Sequence, residues 1–312
     1  MEGILDAIRS FLDGLTTIQW APLGLAVFCH LGRVVARTRA WRNVVAAAYP
    51  DERVRYRDVF GSYSAGIGAN ALLPGRGGDL LRLYLIKHRV EGSTYPTLGA
   101  TLLADTLFDA VVGSILLSIA LATGVLPGLD VLPSLPGVDW LWFFRNPTEG
   151  LLILAVVAAA AVLLAVVLAA HRVRQFWARV RQGLAILRDP RRYLRTVVPW
   201  QALDWTFRAG SIFFFLQAFG LPESVRNIFA VQVTQALSTL LPLTPAGIGT
   251  EQALLVFIFA GEASTSDVLS FSVGVKIVIV IVNVALGTLA TFAMIRRFRW
   301  RQAVSEDAAE VK

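Results

Sequence analysis

Guanidinium and carboxylate groups stand inside a glycine-rich break in an otherwise apolar stretch. Residues 70–82 read Asn-Ala-Leu-Leu-Pro-Gly-Arg-Gly-Gly-Asp-Leu-Leu-Arg, which places Asn70, Gly75, Arg76, Gly78, Asp79 and Arg82 around one interruption. Arginine at such a point could grip a phosphate with paired N–H donors. A helix that restarts after the break also presents unpaired backbone N–H groups and a partial positive charge, a natural anion site. A second break follows about half a chain later. Residues 241–252 read Leu-Pro-Leu-Thr-Pro-Ala-Gly-Ile-Gly-Thr-Glu-Gln, with Thr244, Gly247, Gly249 and Glu251 as its polar and small positions. Each break runs from an apolar stretch through proline and paired glycines to an acid that opens a new apolar stretch. The glycines let the backbone turn sharply and come close to a ligand. In a membrane chain, matched helix breaks in two halves are the best sequence pointer to a transport site.

Other charges fall within apolar runs. Lys276 lies inside 268–295, where an unpaired cation is costly. It is expected to pair with Asp109, Asp105 or Glu251. Asp105 and Asp109 are one helical turn apart and share a face, and Asn283 shares a face with Lys276. Asp204 and Arg208 have the spacing and order of an intrahelical ion pair. Gln232, Gln235 and Thr239 form one polar stripe that leads to the second break. Cys29 is the single cysteine, and His30, His88 and His171 lack metal-ligand spacing. No nucleophile or metal set stands out, so neither a cofactor nor an enzymatic activity is expected.

These residues must be positioned by membrane helices. Hydrophobic residues make up 55% of the chain, charged residues 16%, and mean hydropathy is +0.61. Residues 151–170 form an unbroken apolar run long enough to cross a bilayer. The net charge of +7 would suggest nucleic acid in a soluble domain. Here the arginines cluster between apolar runs, which points to the anionic cytoplasmic membrane surface and away from nucleic acid. The acidic N-terminal stretch is not the basic region of a cleavable signal.

Spans are expected at 15–36, 98–123, 151–170, 197–219 and 268–295, with the broken segments at 59–86 and 225–260. Residues 1–14 have the period of an amphipathic surface helix. The seven arginines of 33–57 mark a cytoplasmic stretch, and the eight of 172–195, interleaved with Phe176, Trp177, Leu184 and Leu187, an interfacial helix on anionic lipid. Residues 126–149 suit an external loop with an aromatic anchor. The tail from Ser305 reads as disordered. Basic flanks put the first broken segment on the cytoplasmic side, and their scarcity puts the second outside. The predicted fold is an all-α polytopic membrane protein, an inverted repeat with two broken, re-entrant helical hairpins. Its segments are 1–14, a transmembrane domain at 15–295 and a tail at 296–312. The repeat halves are about 15–124 and 197–295, linked by 125–196. The N-terminus is expected outside and the C-terminus in the cytoplasm. A full crossing of 54–73 is the alternative.

Asn70, Pro74, Gly75, Arg76, Gly78, Asp79 and Arg82 in the first break, with Pro242, Pro245, Gly247, Gly249 and Glu251 in the second, resemble the lysylphosphatidylglycerol synthase transmembrane-region family. The spacing to Asp109 also fits, and the resemblance runs from about residue 15 to 295. It implies a multi-pass protein of the cytoplasmic membrane of a bacterium or archaeon that moves or handles lipid. Residues 296–312 leave no room for the aminoacyl-transferase domain of the large synthases, so synthase activity is not expected. Many members carry glutamate at the place of Asp79 and Glu-Arg at that of Asp105-Thr106.

The expected function is translocation of an anionic, aminoacylated, glycosylated or polyprenyl-phosphate lipid. Arg76, Arg82 and Lys276 would hold phosphate, with Asp79, Asp105, Asp109 and Glu251 neutralising them when empty. The partner is then the phosphate head group of membrane lipid. A homo-oligomer and a lipid-pathway enzyme stay open as further partners. The rival readings are an ion-coupled carrier of a small anion and a non-catalytic partner of a glycosyltransferase.

Overall fold

The computed structural model describes residues 18–73, 77–122, 171–240 and 250–310. Every element among them is helical. The segments 1–14, 126–149 and 151–170 lie outside the described residues, as do Gly75, Arg76, Thr244, Gly247 and Gly249.

The first helix, α1 (Trp20–Ala48), carries Pro22 in its first turn, where no N–H is needed, and ends at Tyr49, ahead of Pro50. It corrects the expectation of a span closing at 36. The helix runs on through Arg33, Arg37, Arg39 and Arg42, because Ala26, Val34, Trp41, Val44, Val45 and Ala48 keep one buried stripe along its length.

Next come α2 (Tyr56–Leu72) and α3 (Gly77–Lys87). The stop is local: Leu73 turns extended (φ −100°, ψ 132°) before Pro74. On the way back, Gly78 of α3 lies against Gly66 and Asn70, and Arg82 lies against Gly66, so the pair is an antiparallel hairpin. Helix α4 (Tyr95–Ala122) opens with Pro96 in its first turn.

The basic stretch at 172–195 is three pieces where one helix was expected: α5 (His171–Gly183), a 3-10 turn (Ala185–Arg188) and α6 (Pro190–Thr196). Pro190 cannot continue a preceding helix but suits a first position, and the Asp189 carboxylate accepts the Arg192 N–H at 3.0 Å.

The second set is α7 (Val198–Ala218), α8 (Val225–Leu240), α9 (Thr250–Ile258) and α10 (Thr265–Glu310). Helix α7 closes on Gly220 at φ 68°, where the Leu221 N–H reaches the Leu216 carbonyl at 2.9 Å. Arg226 and Asn227, at the start of α8, both bond Glu262, just beyond α9, at 2.7 Å, so α8 and α9 also form an antiparallel hairpin. Helix α10 continues to Glu310, which replaces the disordered tail expected from Ser305. Tyr95–Leu116 and Thr265–Met294 are long and apolar enough to cross a membrane.

Helices α1 and α7 run antiparallel in an even register. The Gln19 N–H meets the Ala218 carbonyl, Ser211 Oγ the Ala26 carbonyl, Arg33 meets Asp204, Arg37 meets Gln201, and Asn43 meets the Thr196 carbonyl. Two apolar clusters flank this pair. One joins Trp41, Val44 and Val45 to Val59, Ile86, Leu98 and Ile186. The other joins Ala26 to Phe215, Leu216, Leu255, Phe259 and Phe271. Between them, on α1, stand His30, Arg33 and Arg37.

Candidate functional site

The first break is built from side-chain and backbone contacts that only its own residues allow. The Gly78 N–H, one of the donors freed at the start of α3, bonds Asn70 Oδ1 at 2.8 Å. Asn70 Nδ2 then donates to Asp79 Oδ1 at 3.2 Å. A Cβ at Gly78 would overlap the Gly66 carbonyl and the Asn70 backbone, so the two helices meet at bare backbone. One turn on, Arg82 points into the fold. It is 8% exposed, and its guanidinium lies 3.5 Å from the Trp41 ring centre and 4.5 Å from that of Tyr63. Its Nη2 is 3.8 Å from Asp105 Oδ2, too far for a hydrogen bond, and both Nε and Nη2 lack a hydrogen-bond partner.

Arg37 is the opposite case. Its Nε donates to Asp105 Oδ2 at 3.1 Å, Nη1 to Gln201 Oε1 at 2.9 Å, and Nη2 pairs with Asp109 Oδ2 at 2.6 Å. Asp204 Oδ2 lies 3.5 Å from Nη1. Gln201 Nε2 adds a bond to Asp105 Oδ1 at 3.0 Å, and Trp205 Nε1 one to Asp109 Oδ1 at 2.9 Å. This guanidinium is a tie between α1, α4 and α7, with no donor left for a ligand. Asp105 and Asp109 do neutralise an arginine, and that arginine is Arg37.

The expected Asp204–Arg208 pair is not the contact formed. Asp204 bonds Arg33 Nε at 3.1 Å as well as lying near Arg37, and Arg208 Nη2 instead reaches Gln235 Oε1 at 3.3 Å. An intrahelical pair contributes only about 0.3–0.5 kcal/mol, whereas a carboxylate as buried as Asp204 needs close charge-assisted partners. Helix α1 supplies them.

Together these side chains line a cavity of about 420 Å³. Four arginines (Arg33, Arg37, Arg82, Arg208) and four aspartates (Asp79, Asp105, Asp109, Asp204) border it, with Tyr63, Asn70 and Thr106. Asn70, Asp79, Arg82, Asp105 and Asp109 border this one cavity. Glu251 and Lys276 form the anticipated pair at 2.9 Å but do not border this cavity. Nor does Asn283, which meets His30 Nε2 through Oδ1 at 2.9 Å. Sequence reasoning missed Arg33, Arg37, Tyr63 and Gln201. The signal for the arginines was present: the apolar stripe of α1 does not stop at 36 but continues to Ala48.

No curated protein and no solved structure matches the chain. The family described as lysylphosphatidylglycerol synthase TM region matches residues 5–287, which takes in both hairpins and every residue of the cavity. The chain therefore belongs to the lysylphosphatidylglycerol synthase TM-region family, which ties it to the membrane and to membrane lipid.

Proposed function

We infer that the protein moves a lipid with a phosphate head group across the membrane and performs no chemistry on it. The observation that carries this reading is Arg82: a buried guanidinium on the helix restarting after the first break, facing a cavity, with two donor atoms unsatisfied. A phosphodiester fits that vacancy in charge and donor geometry. Among the described residues, four arginines and four aspartates border the cavity, so their formal charges offset one another. Moving Arg82 toward a phosphate gives up its stacking on Trp41 and Tyr63 and its long contact with Asp105, while Arg37 holds that carboxylate.

The same reading takes the two hairpins as re-entrant and the halves as inverted copies. At 1.5 Å per residue, α3 spans roughly 16 Å and α9 roughly 14 Å, about half of a hydrocarbon core near 30 Å. The order of helix, hairpin, helix occurs twice, as α1, α2–α3, α4 and as α7, α8–α9, α10. The two opening helices lie antiparallel, as equivalents do about an axis in the membrane plane. Each hairpin leans on the other half: Gly68 of α2 against Gly287 of α10, and α8 against α4. Helices that stop short at membrane depth are tolerated where the rest of the protein packs against them.

The test is leaflet exchange of a fluorescent short-chain phosphatidylglycerol in reconstituted vesicles. Loss of charge-assisted bonds of about 1.5–3 kcal/mol predicts that Arg82→Gln slows exchange by roughly tenfold or more. Equal exchange by the wild type and a folded Arg82→Gln variant defeats the reading. Transport of free glycerol phosphate in place of the lipid would move it to a soluble anion carrier.

A further inference from the structure

Away from the cavity, the segment from α5 to α6 has two faces with different tasks. Its inner face is packed at the foot of the first hairpin. Ile186 and Val197 are buried with Ile86 and Val90, which lie at and just beyond the end of α3, and with Leu98 at the start of α4. Gln182 Nε2 donates to the Ala48 carbonyl at 3.0 Å, and Gly183 sits against the Thr97 carbonyl and Ala100, where a side chain would collide. Among the described residues, the side chains on its other side have no partner and are strongly basic. Seven arginines between 174 and 195 are exposed, against one acid, Asp189, which is used as a helix cap. Among them stand Phe176 (48% exposed), Trp177 (55%) and Leu194 (60%).

We propose that this outer face is a docking surface for anionic lipid, separate from the cavity, and that lipid bound there braces the foot of the first hairpin. Charge complementarity selects the occupant. A cluster of arginines interleaved with exposed aromatic and leucine side chains matches an anionic bilayer surface, where guanidinium groups meet head groups and the aromatic rings enter the interface. An acidic protein would satisfy the charge but would leave Trp177 outside lipid. The bracing follows from the inner face: the residues that carry the arginines are continuous with those that pack against Ile86 and Val90. The binding claim rests on the basic face alone and stands whether or not the cavity transports lipid.

The test uses the whole purified protein in mixed micelles. Thermal unfolding is followed while phosphatidylglycerol or phosphatidylcholine is titrated in, for the wild type and for a variant with Arg188, Arg191, Arg192 and Arg195 changed to Gln. Each arginine near an anionic surface is worth about fivefold in affinity. The expected result is stabilisation by phosphatidylglycerol alone, with the half-saturating mole fraction raised at least tenfold in the Gln variant. A four-Lys variant should keep the wild-type response, which shows that loss in the Gln variant is a matter of charge. In an Arg82→Gln background the four Gln substitutions should remove as much of the response as they do in the wild type, which separates this surface from the cavity. Brominated phosphatidylglycerol should quench a fluorescence component that is missing in Trp177→Phe. The proposal is overturned if the Gln variant responds like the wild type, if phosphatidylcholine acts equally, or if soluble polyglutamate stabilises the protein while brominated lipid leaves Trp177 unquenched.

Discussion

Replacing Arg37 by Met tests the claim that this guanidinium is structural and not a ligand group. The substitution roughly keeps the side-chain volume and removes every donor. Asp105 is 2% exposed and loses its 3.1 Å partner, keeping only Gln201 and the long approach of Arg82. Asp109 loses its 2.6 Å partner but is about one-third exposed and can hydrate, and Asp204 keeps Arg33. The main penalty is thus one uncompensated buried carboxylate, about 3–5 kcal/mol. With about 2–4 °C for each kcal/mol, the apparent melting temperature in detergent should fall by roughly 6–20 °C. The sign of the double variant is sharper than the size of the single one. Asp105→Asn alone leaves Arg37 bonded to Asp109 and Gln201 and should cost less, about 1–3 kcal/mol. Added to Arg37→Met, it removes the orphaned charge and should raise stability again, with a coupling energy of about 2 kcal/mol in the cycle. Melting of the four proteins by intrinsic fluorescence measures this. If Asp105→Asn lowers the melting point of the Arg37→Met protein further, the charge pairing described here is not what holds the three helices.

Gly78→Ala puts a methyl group into the Gly66 carbonyl and the Asn70 backbone, so the hairpin must open. A loss of about 1–3 kcal/mol or more is expected, read as reduced yield and melting temperature, against little change for Gly99→Ala, where the space is open. Asn70→Leu leaves the Gly78 N–H without its partner and should cost about 1–3 kcal/mol; a neutral result would mean that water replaces the amide. Lys276→Met strands Glu251, whose side chain is 12% exposed, and Glu251→Gln in the same protein should recover most of the stability. That double variant should bind phosphatidylglycerol as the wild type does, because neither residue borders the cavity, and a loss of binding would place the pair in the site after all.

Helix breaks were legible in the sequence because their causes are local. Pro74 forces Leu73 out of the helical region whatever surrounds it, whereas the stop at Tyr49 before Pro50 was missed because the arginines drew the end of α1 back to 36. The hairpin arms and the α4, α7 and α8 boundaries therefore came out within a few residues. Partners were not legible, because they depend on packing between segments far apart in the chain. Arg37 meets Asp204 across 167 positions and Asp105 across 68. Arginine density in sequence invited an end to the first span at 36. In the fold, two of those arginines are bought out of solvent by three aspartates on other helices.

The missed continuation of α1 has a physical cause that also explains the site. A basic cluster reads as the end of a span because an unpaired arginine does not enter an apolar environment, whereas here acids on neighbouring helices meet Arg33 and Arg37 at the right height. The even register of α1 on α7 sets that height. Contacts that begin with Gln19 beside Ala218 and pass through Ala26 beside Ser211 bring Arg33 to Asp204 and Arg37 to Gln201 about two turns and three turns further along. The apolar clusters above and below fix that register at both ends of α1, one around Trp41 and one around Ala26. With the register held and Arg37 saturated, Asp105 is committed before any ligand arrives. Arg82 is then stacked on Trp41 and Tyr63 rather than drawn into a close ion pair, and its Nε and Nη2 stay buried without a hydrogen-bond partner beside the cavity. The free guanidinium at the first break is thus a consequence of the bound one on α1.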